Sequence, residues 1–331
     1  MKRDSLIPIA ILNGIMYLYF LLVEGFYILS INYLLVTCAI IAVSLLVALC
    51  QKIKVNFGIV LLIKIFLYVN VMASSIYILE RNSVFHPSHN ERAHNIVSRI
   101  ESVEKIHLGR YSGWLYTSGE FERAPLVIYF DGNGGNAATM FQHMQVFEQW
   151  DYFNGFSFLQ IDYPGFGLSG GLASQQNIFD MAKAAYDYAQ TREDIDGDNI
   201  FVMGFSLGTA VATYLASQRE VRGLILFAPF DEMRTMYNIV LPIFYGPMRG
   251  FMRFTFPSNR FAQEVGVRPL IVSSRDDETT PFSAAARLAE AFPLGADLID
   301  LSDFGHGGYW SSTTLRFVQE YLANAMEGLL D

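Results

Sequence analysis

Ser206 stands in the pentapeptide Gly204-Phe205-Ser206-Leu207-Gly208, between the apolar run Asn199-Ile-Phe-Val-Met and the helical pattern Thr209-Ala-Val-Ala-Thr-Tyr-Leu-Ala. Glycine, any residue, serine, any residue, glycine at a strand–turn–helix junction is the spacing of a nucleophile elbow. The turn lifts the hydroxyl clear of the strand, and glycines two residues to either side remove Cβ atoms that would clash there. The helix that follows presents its positive dipole end to negative charge developing beside the serine. The chemistry served by such an arrangement is acyl transfer, in which the serine attacks a carbonyl and is itself acylated. A tight turn that merely happens to carry serine would not require this flanking strand and helix.

A serine hydroxyl is a weak nucleophile until a base takes its proton. Six histidines are available: His86, His89, His94, His107, His143 and His306. The first three lie in a polar stretch ahead of the domain, His107 on an early strand, and His143 on a helical face after a glycine-rich loop. His306, in Phe304-Gly-His-Gly-Gly after the last strand, satisfies the chain order serine, acid, histidine. The acid that orients it is expected after the preceding strand, where Arg275-Asp-Asp-Glu-Thr-Thr-Pro offers Asp276, Asp277 and Glu278. Spacing does not choose among them. An oxyanion needs two N–H groups aimed at one point. Leu207, directly after the serine, supplies one, and the loop Asp131-Gly-Asn-Gly-Gly-Asn is expected to supply the other. That loop has neither a G-K-[ST] ending nor a spaced G-x-G-x-x-G, which sets aside a phosphate-binding reading.

Elements that could position these residues follow one another from residue 102 to the C-terminus. Strands are predicted over 103–108, 113–117, 125–131, 156–162, 199–205, 222–228, 268–274 and 296–301, with helices over 136–150, 174–191, 207–218, 282–292 and 309–326. Alternation of this kind implies an α/β fold, a mostly parallel eight-stranded sheet with helices on both faces. Runs such as Pro125-Leu-Val-Ile-Tyr-Phe lack polar alternation, as strands buried on both faces do. Residues 231–262, rich in Met, Phe, Tyr and Pro, are too long for a plain crossover and are expected to form a lid. Residues 81–101 are polar and read as a linker.

The first 80 residues are of another kind. The whole chain is 52% hydrophobic and 17% charged, with a mean hydropathy of +0.28. Three apolar stretches, 6–23, 28–50 and 57–79, account for the excess, and each approaches the ~20 residues a helix needs to cross a bilayer. Residues 1–80 are therefore expected to be a multi-pass membrane anchor of three helices. Lys2 and Arg3 precede the first stretch, and Lys52 and Lys54 separate the second from the third. By the positive-inside rule these charges face the cytoplasm, which puts the domain 102–331 outside it. Lys64, within the third stretch, is expected to snorkel or pack. Beyond residue 80 the chain holds 18 basic and 29 acidic residues, a balance that repels phosphate backbones and argues against nucleic acid as a partner. Both cysteines, Cys38 and Cys50, lie in the apolar front, so the acidic domain has no disulfide framework and no thiolate metal site.

In this order, the elbow, the glycine loop, the acid loop and His306 resemble the α/β-hydrolase superfamily. Within it, the chain is similar to membrane-anchored serine hydrolases related to depalmitoylating thioesterases and to monoacylglycerol or lysophospholipid lipases. Tyr77-Ile-Leu-Glu-Arg-Asn-Ser-Val-Phe-His-Pro-Ser resembles that group's junction between anchor and domain, and Asp162-Tyr-Pro-Gly-Phe-Gly-Leu-Ser-Gly its loop after the fourth strand. The resemblance implies that Asn133 N–H is the second oxyanion donor. It also implies that Asp277, in the register Asp277-Glu-Thr-Thr-Pro, is the acid. Two positions depart from the pattern: Asp131 stands where histidine usually begins the oxyanion loop, and Ser274 where glycine is common before the acid. The expectation is a Ser206–His306–Asp277 hydrolase acting on acyl ester or thioester substrates, lipids among them, with no cofactor and no metal. The alternative is a catalytically silent scaffold of the same fold.

Overall fold

A computed structural model of the chain describes residues 80–240, 245–246, 250, 252–302 and 304–327. The chain divides into two compact units, Met1–Glu80 and Arg81–Asp331. The three apolar stretches at 6–23, 28–50 and 57–79 lie outside the described residues, and so does Lys64. Among the described residues no helix is long and apolar enough to cross a membrane.

Eight strands form one sheet: β1 Val103–Leu108, β2 Tyr111–Tyr116, β3 Ala124–Phe130, β4 Ser157–Ile161, β5 Ile195–Phe205, β6 Gly223–Phe227, β7 Leu270–Ser274 and β8 Asp297–Leu301. Their spatial order is β1-β2-β4-β3-β5-β6-β7-β8. The β1–β2 and β2–β4 pairs are antiparallel, and the remaining pairs from β4 to β8 are parallel. Each predicted strand is present. The largest shift is at β5, which starts at Ile195 because that residue pairs with Ala124 ahead of an irregularity in the ladder. Asp196 stabilises the irregular stretch by accepting from Asp198 N–H and Asn199 Nδ2.

Alternate residues of a strand point to opposite faces, and here both faces are buried. Leu126, Ile128 and Phe130 of β3 join one apolar cluster with Ile200, Val202, Leu224, Leu226 and Ile271. Val127 and Tyr129 join the other with Phe201, Met203, Ile225, Phe227, Leu270 and Val272. Helices Gln175–Gln190, Leu207–Gln218 and Phe282–Ala289 cover the first face, and Ala137–Val146 and Ser312–Glu327 cover the second. This is why the strand segments read as unbroken apolar runs.

Two expectations need correction. Residues 81–101 are not a free linker. They include the helix Glu91–Val97, capped by the Asn90 side chain on Ala93 N–H, with Ala93 and Val97 fully buried. Ahead of that helix Val84 and Phe85 are buried in the core. Four apolar positions are enough to bind the segment to the domain although its composition is polar. The expected lid at 231–262 also shrinks. Its two ends are tied together by Met233 N–H to Thr255 O and Asn259 N–H to Asp231 O, both 2.9 Å. The returning limb is core: Phe254 and Phe256 are buried and meet the Phe85 ring at centroid distances of 5.0 and 6.3 Å. The excursion keeps the helix Met233–Val240, with Ile239 and Tyr245 exposed, while Leu241, Ile243, Phe244, Met248 and Phe251 lie outside the described residues.

Candidate active site

The carboxyl ends of β3, β5 and β7 and the loop after β8 carry the sequence-predicted residues to one edge of the sheet. Parallel strands make this inevitable, since every chain direction in that part of the sheet ends on the same side. Ser206 follows β5 directly and sits at φ 50°, ψ −117°, outside the backbone conformations that serine ordinarily takes. The strain is held on both sides: Ser206 N–H donates to Phe227 O at 2.9 Å, and Ser206 O accepts from Thr209 N–H and Thr209 Oγ1. The flanking glycines are required by contact. A Cβ on Gly204 would lie 2.4 Å from Gly208 O, and one on Gly208 would lie 2.0 Å from Phe130 O.

His306 Nε2 is 3.0 Å from Ser206 Oγ, and His306 Nδ1 is 2.8 Å from Asp277 Oδ2. With Nδ1–H donating to the carboxylate, Nε2 carries the lone pair and can accept the serine proton. The Phe205 ring lies against the imidazole at a centroid distance of 5.0 Å. Of the three candidate acids, Asp277 is buried and reaches His306, whereas Asp276 and Glu278 are exposed. Asp277 accepts four further hydrogen bonds: Thr279 N–H and Thr280 N–H at 2.8 and 2.9 Å on Oδ1, and Thr280 Oγ1 and Tyr309 OH at 2.8 and 3.0 Å on Oδ2. Burial alone would push this carboxyl up. The hydrogen bonds from His306 and Thr280 outweigh burial and hold it down at about 2, so it is ionised at neutral pH.

Leu207 is the first residue of its helix, so its N–H has no intrahelical acceptor. Asn133 lies in the facing loop after β3, next to Gly132, where a Cβ would fall 3.7 Å from Ser206 Cβ. Among the described residues no acceptor takes the Asn133 N–H. The residue is fixed by its other atoms: its carbonyl accepts from His86 N–H at 2.9 Å, and its side-chain Nδ2 lies 3.2 Å from His86 Nδ1. Asp131, which opens the loop, is occupied locally. Its Oδ1 accepts from Gly132 N–H at 2.7 Å and Tyr129 OH at 3.2 Å. Burial raises the Asp131 carboxyl above its usual range, partly offset by those two bonds and one from Gln160. Tyr163 OH holds the Asp131 carbonyl at 2.6 Å, and Asp162 holds Ala137 N–H at 2.7 Å, where the next helix begins.

Sequence reasoning did not find Tyr309, Thr280, Tyr163 or His86. Thr280 had a signal, since Asp-x-x-Thr is a common local turn in which the carboxylate takes the later N–H groups. Tyr309 had none, because a buried aromatic beside a glycine pair reads as packing. The remaining histidines serve elsewhere: His89 lies on Gly167 O, His107 on Ser112, His94 against Trp114 and His143 against Phe147. Among the described residues no group of three His, Cys, Asp or Glu side chains is arranged to hold a metal ion.

Comparison with known proteins gives the same architecture. The family model for the alpha/beta hydrolase fold matches residues 125–264, and that for TAP-like proteins matches residues 255–327. WAV2 of Arabidopsis thaliana, an alpha/beta hydrolase domain-containing protein, is 30% identical over 224 residues, 60% of this chain and 71% of that one. Among solved structures, ferulic acid-bound Est1E from Butyrivibrio proteoclasticus superposes with a TM-score of 0.53 at 19% identity, covering 68% of this chain and 98% of Est1E. A propionate-bound thermophilic esterase from Thermogutta terrifontis gives 0.50 at 17% identity, covering 70% and 95%. From β3 to the last helix, then, the order of elements and the sequence agree: the chain belongs to the α/β-hydrolase superfamily.

Proposed function

We propose that the chain is a membrane-anchored serine hydrolase that cleaves carboxylic ester or thioester bonds of acyl-lipid-like substrates. The observation that carries this reading is the hydrogen-bond relay from Ser206 Oγ through His306 to the buried Asp277 carboxylate, 3.0 and 2.8 Å. In the reaction, His306 Nε2 takes the Ser206 proton as Oγ attacks the substrate carbonyl. Negative charge moves to the carbonyl oxygen and is met by the Asn133 and Leu207 N–H groups. The intermediate collapses, the bond to the leaving alcohol or thiol breaks, and His306 hands that group the proton. Water then enters, gives a proton to His306 and attacks the acyl-enzyme; collapse returns the proton to Ser206 and frees the acid. Asp277 keeps its charge throughout and stabilises the imidazolium.

An ester substrate is supported by the esterase that shares the fold. The anchor is supported by the three apolar stretches of residues 1–80, and an extracytoplasmic domain by Lys2, Arg3, Lys52 and Lys54. An acyl-lipid substrate is supported by the apolar composition of residues 233–256, in the excursion that follows β6. Incubation of purified full-length protein with a fluorophosphonate probe tests the enzyme class. Labelling and p-nitrophenyl ester hydrolysis are expected in wild type and absent in Ser206→Ala, which should keep its melting temperature. Failure of the wild-type protein to label or hydrolyse would leave the catalytically silent scaffold as the reading.

A further inference from the structure

We propose that Tyr309 is a positioning residue of the active site, its hydroxyl clamping the acid loop to the histidine loop and setting how strongly Asp277 holds the imidazolium. The proposal rests on the serine hydrolase reading above. Tyr309 is fully buried, three residues after His306. Its hydroxyl donates to Asp277 Oδ2 at 3.0 Å and accepts from Ser274 N–H at 3.0 Å, so one oxygen joins the end of β7, the acid and the histidine loop. Ser274 closes a second bridge through Oγ, which donates to Phe304 O at 2.7 Å. The serine that stands before the acid thus contributes two of the links between the loops. Phe205, Phe227 and Phe304 surround the tyrosine ring at centroid distances of 5.9, 6.1 and 5.0 Å. Such packing leaves the hydroxyl little freedom to leave Asp277.

Charge decides what this hydrogen bond does. Burial, with the Asp277 carboxylate beside it, pushes the Tyr309 hydroxyl up, so it remains a neutral donor at every working pH. It shares Oδ2 with Thr280 Oγ1 and the His306 Nδ1 contact. Each further donor on that oxygen draws charge away from its hydrogen bond to the imidazole. Among the described residues of these loops, Arg275 pairs with Asp300 at 2.6 Å, and Asp276 and Glu278 are exposed. Removing the tyrosine hydroxyl therefore leaves Asp277 a stronger partner for the imidazolium and less well fixed in direction.

The test is the pH profile of kcat/KM for a p-nitrophenyl ester, measured on the full-length protein. In Tyr309→Phe the acid limb is expected to move up by about half a pH unit, with plateau kcat falling about tenfold and KM little changed. Should this variant fold poorly, 3,5-difluorotyrosine placed at position 309 keeps the ring and donates more strongly, and the acid limb is expected to move down instead. Loss of melting temperature alone, with the limb and plateau kcat of both variants within error of wild type, would reduce Tyr309 to packing and overturn the proposal. Ser206→Ala assayed alongside separates this from the underlying reading. If that variant still hydrolyses the ester, the serine mechanism fails and the proposal fails with it.

Discussion

At the scale of single residues, two carboxylates of this site are driven in opposite directions, and each makes a separate prediction. Asp277 is held down by the donors around it, and its amide would turn an NH2 group toward at least one of them. Asp277→Asn is expected to lose roughly 10⁴-fold in kcat through mis-set imidazole tautomer, while Asp276→Asn loses less than about tenfold. Steady-state kinetics of the two variants checks this; the reverse ordering would move the acid to Asp276. Asp162 is the opposite case. Burial pushes its carboxyl up to about 6, against hydrogen bonds from Ala137 and Leu168 N–H and with Asp131 adding to the rise. A raised carboxyl contributes stability that is present below its unfolded value near 4 and is lost as pH rises through 6. Asp162→Asn removes that dependence, so its deficit relative to wild type should shrink by about 1 kcal/mol between pH 5 and 7.5 in urea unfolding. Ser206 and His306 were legible in the sequence because each is defined by local glycine spacing and chain order. Tyr309 was not, because its hydroxyl acts on residues that only the fold brings near.

At the scale of elements, the elbow shows why local sequence said so much. Gly204 and Gly208 are four residues apart, yet Gly208 is excluded from carrying a side chain by Phe130 O, which comes from a strand 78 positions earlier. Helix Leu207–Gln218 lies that close because the serine must emerge between β5 and the helix with no intervening residue. Gly208→Ala should accordingly destabilise the domain by about 4 kcal/mol or more, since backbone rather than a movable side chain blocks the space. Denaturant unfolding measures this, and a loss under about 1 kcal/mol would mean that the elbow is looser than the contact implies. The eight strands were legible for a related reason: burial on both faces removes polar alternation and leaves apolar runs that a reader can find. The segment 81–101 was not legible. Val84, Phe85, Ala93 and Val97 fix it, but two turns of helix with two small apolar residues fall below any periodic signal. Its role is equally hidden, because the contact of His86 with Asn133 joins residues 47 apart.

At the scale of the whole molecule, the proposed anchor predicts on which side of the membrane the acidic domain lies. If the charges at Lys2, Arg3, Lys52 and Lys54 set orientation, a C-terminal alkaline phosphatase fusion is active in a bacterial host and a green fluorescent protein fusion is dark. The opposite pattern would leave an even number of crossings. The proposed acyl-lipid preference assigns the acyl chain to the apolar side chains of the excursion after β6. Phe254 and Phe256 are buried in the core and Met233 is buried, which leaves fewer apolar side chains to the lid expected at 231–262. Ile239 and Tyr245 remain exposed, and Met236 and Tyr237 pack partly against the core. On the proposed reading that these side chains receive the acyl chain, each methylene covered contributes up to ~0.8 kcal/mol, nearly fourfold in kcat/KM, until the covered length is used up. For p-nitrophenyl esters from acetate to laurate, kcat/KM is therefore expected to rise with chain length to a medium or long optimum. Ile239→Ser should flatten the rise without lowering the rate on acetate. A preference for acetate that persists in detergent would sink the acyl-lipid substrate and point to small esters, with the apolar excursion serving the fold or the bilayer instead.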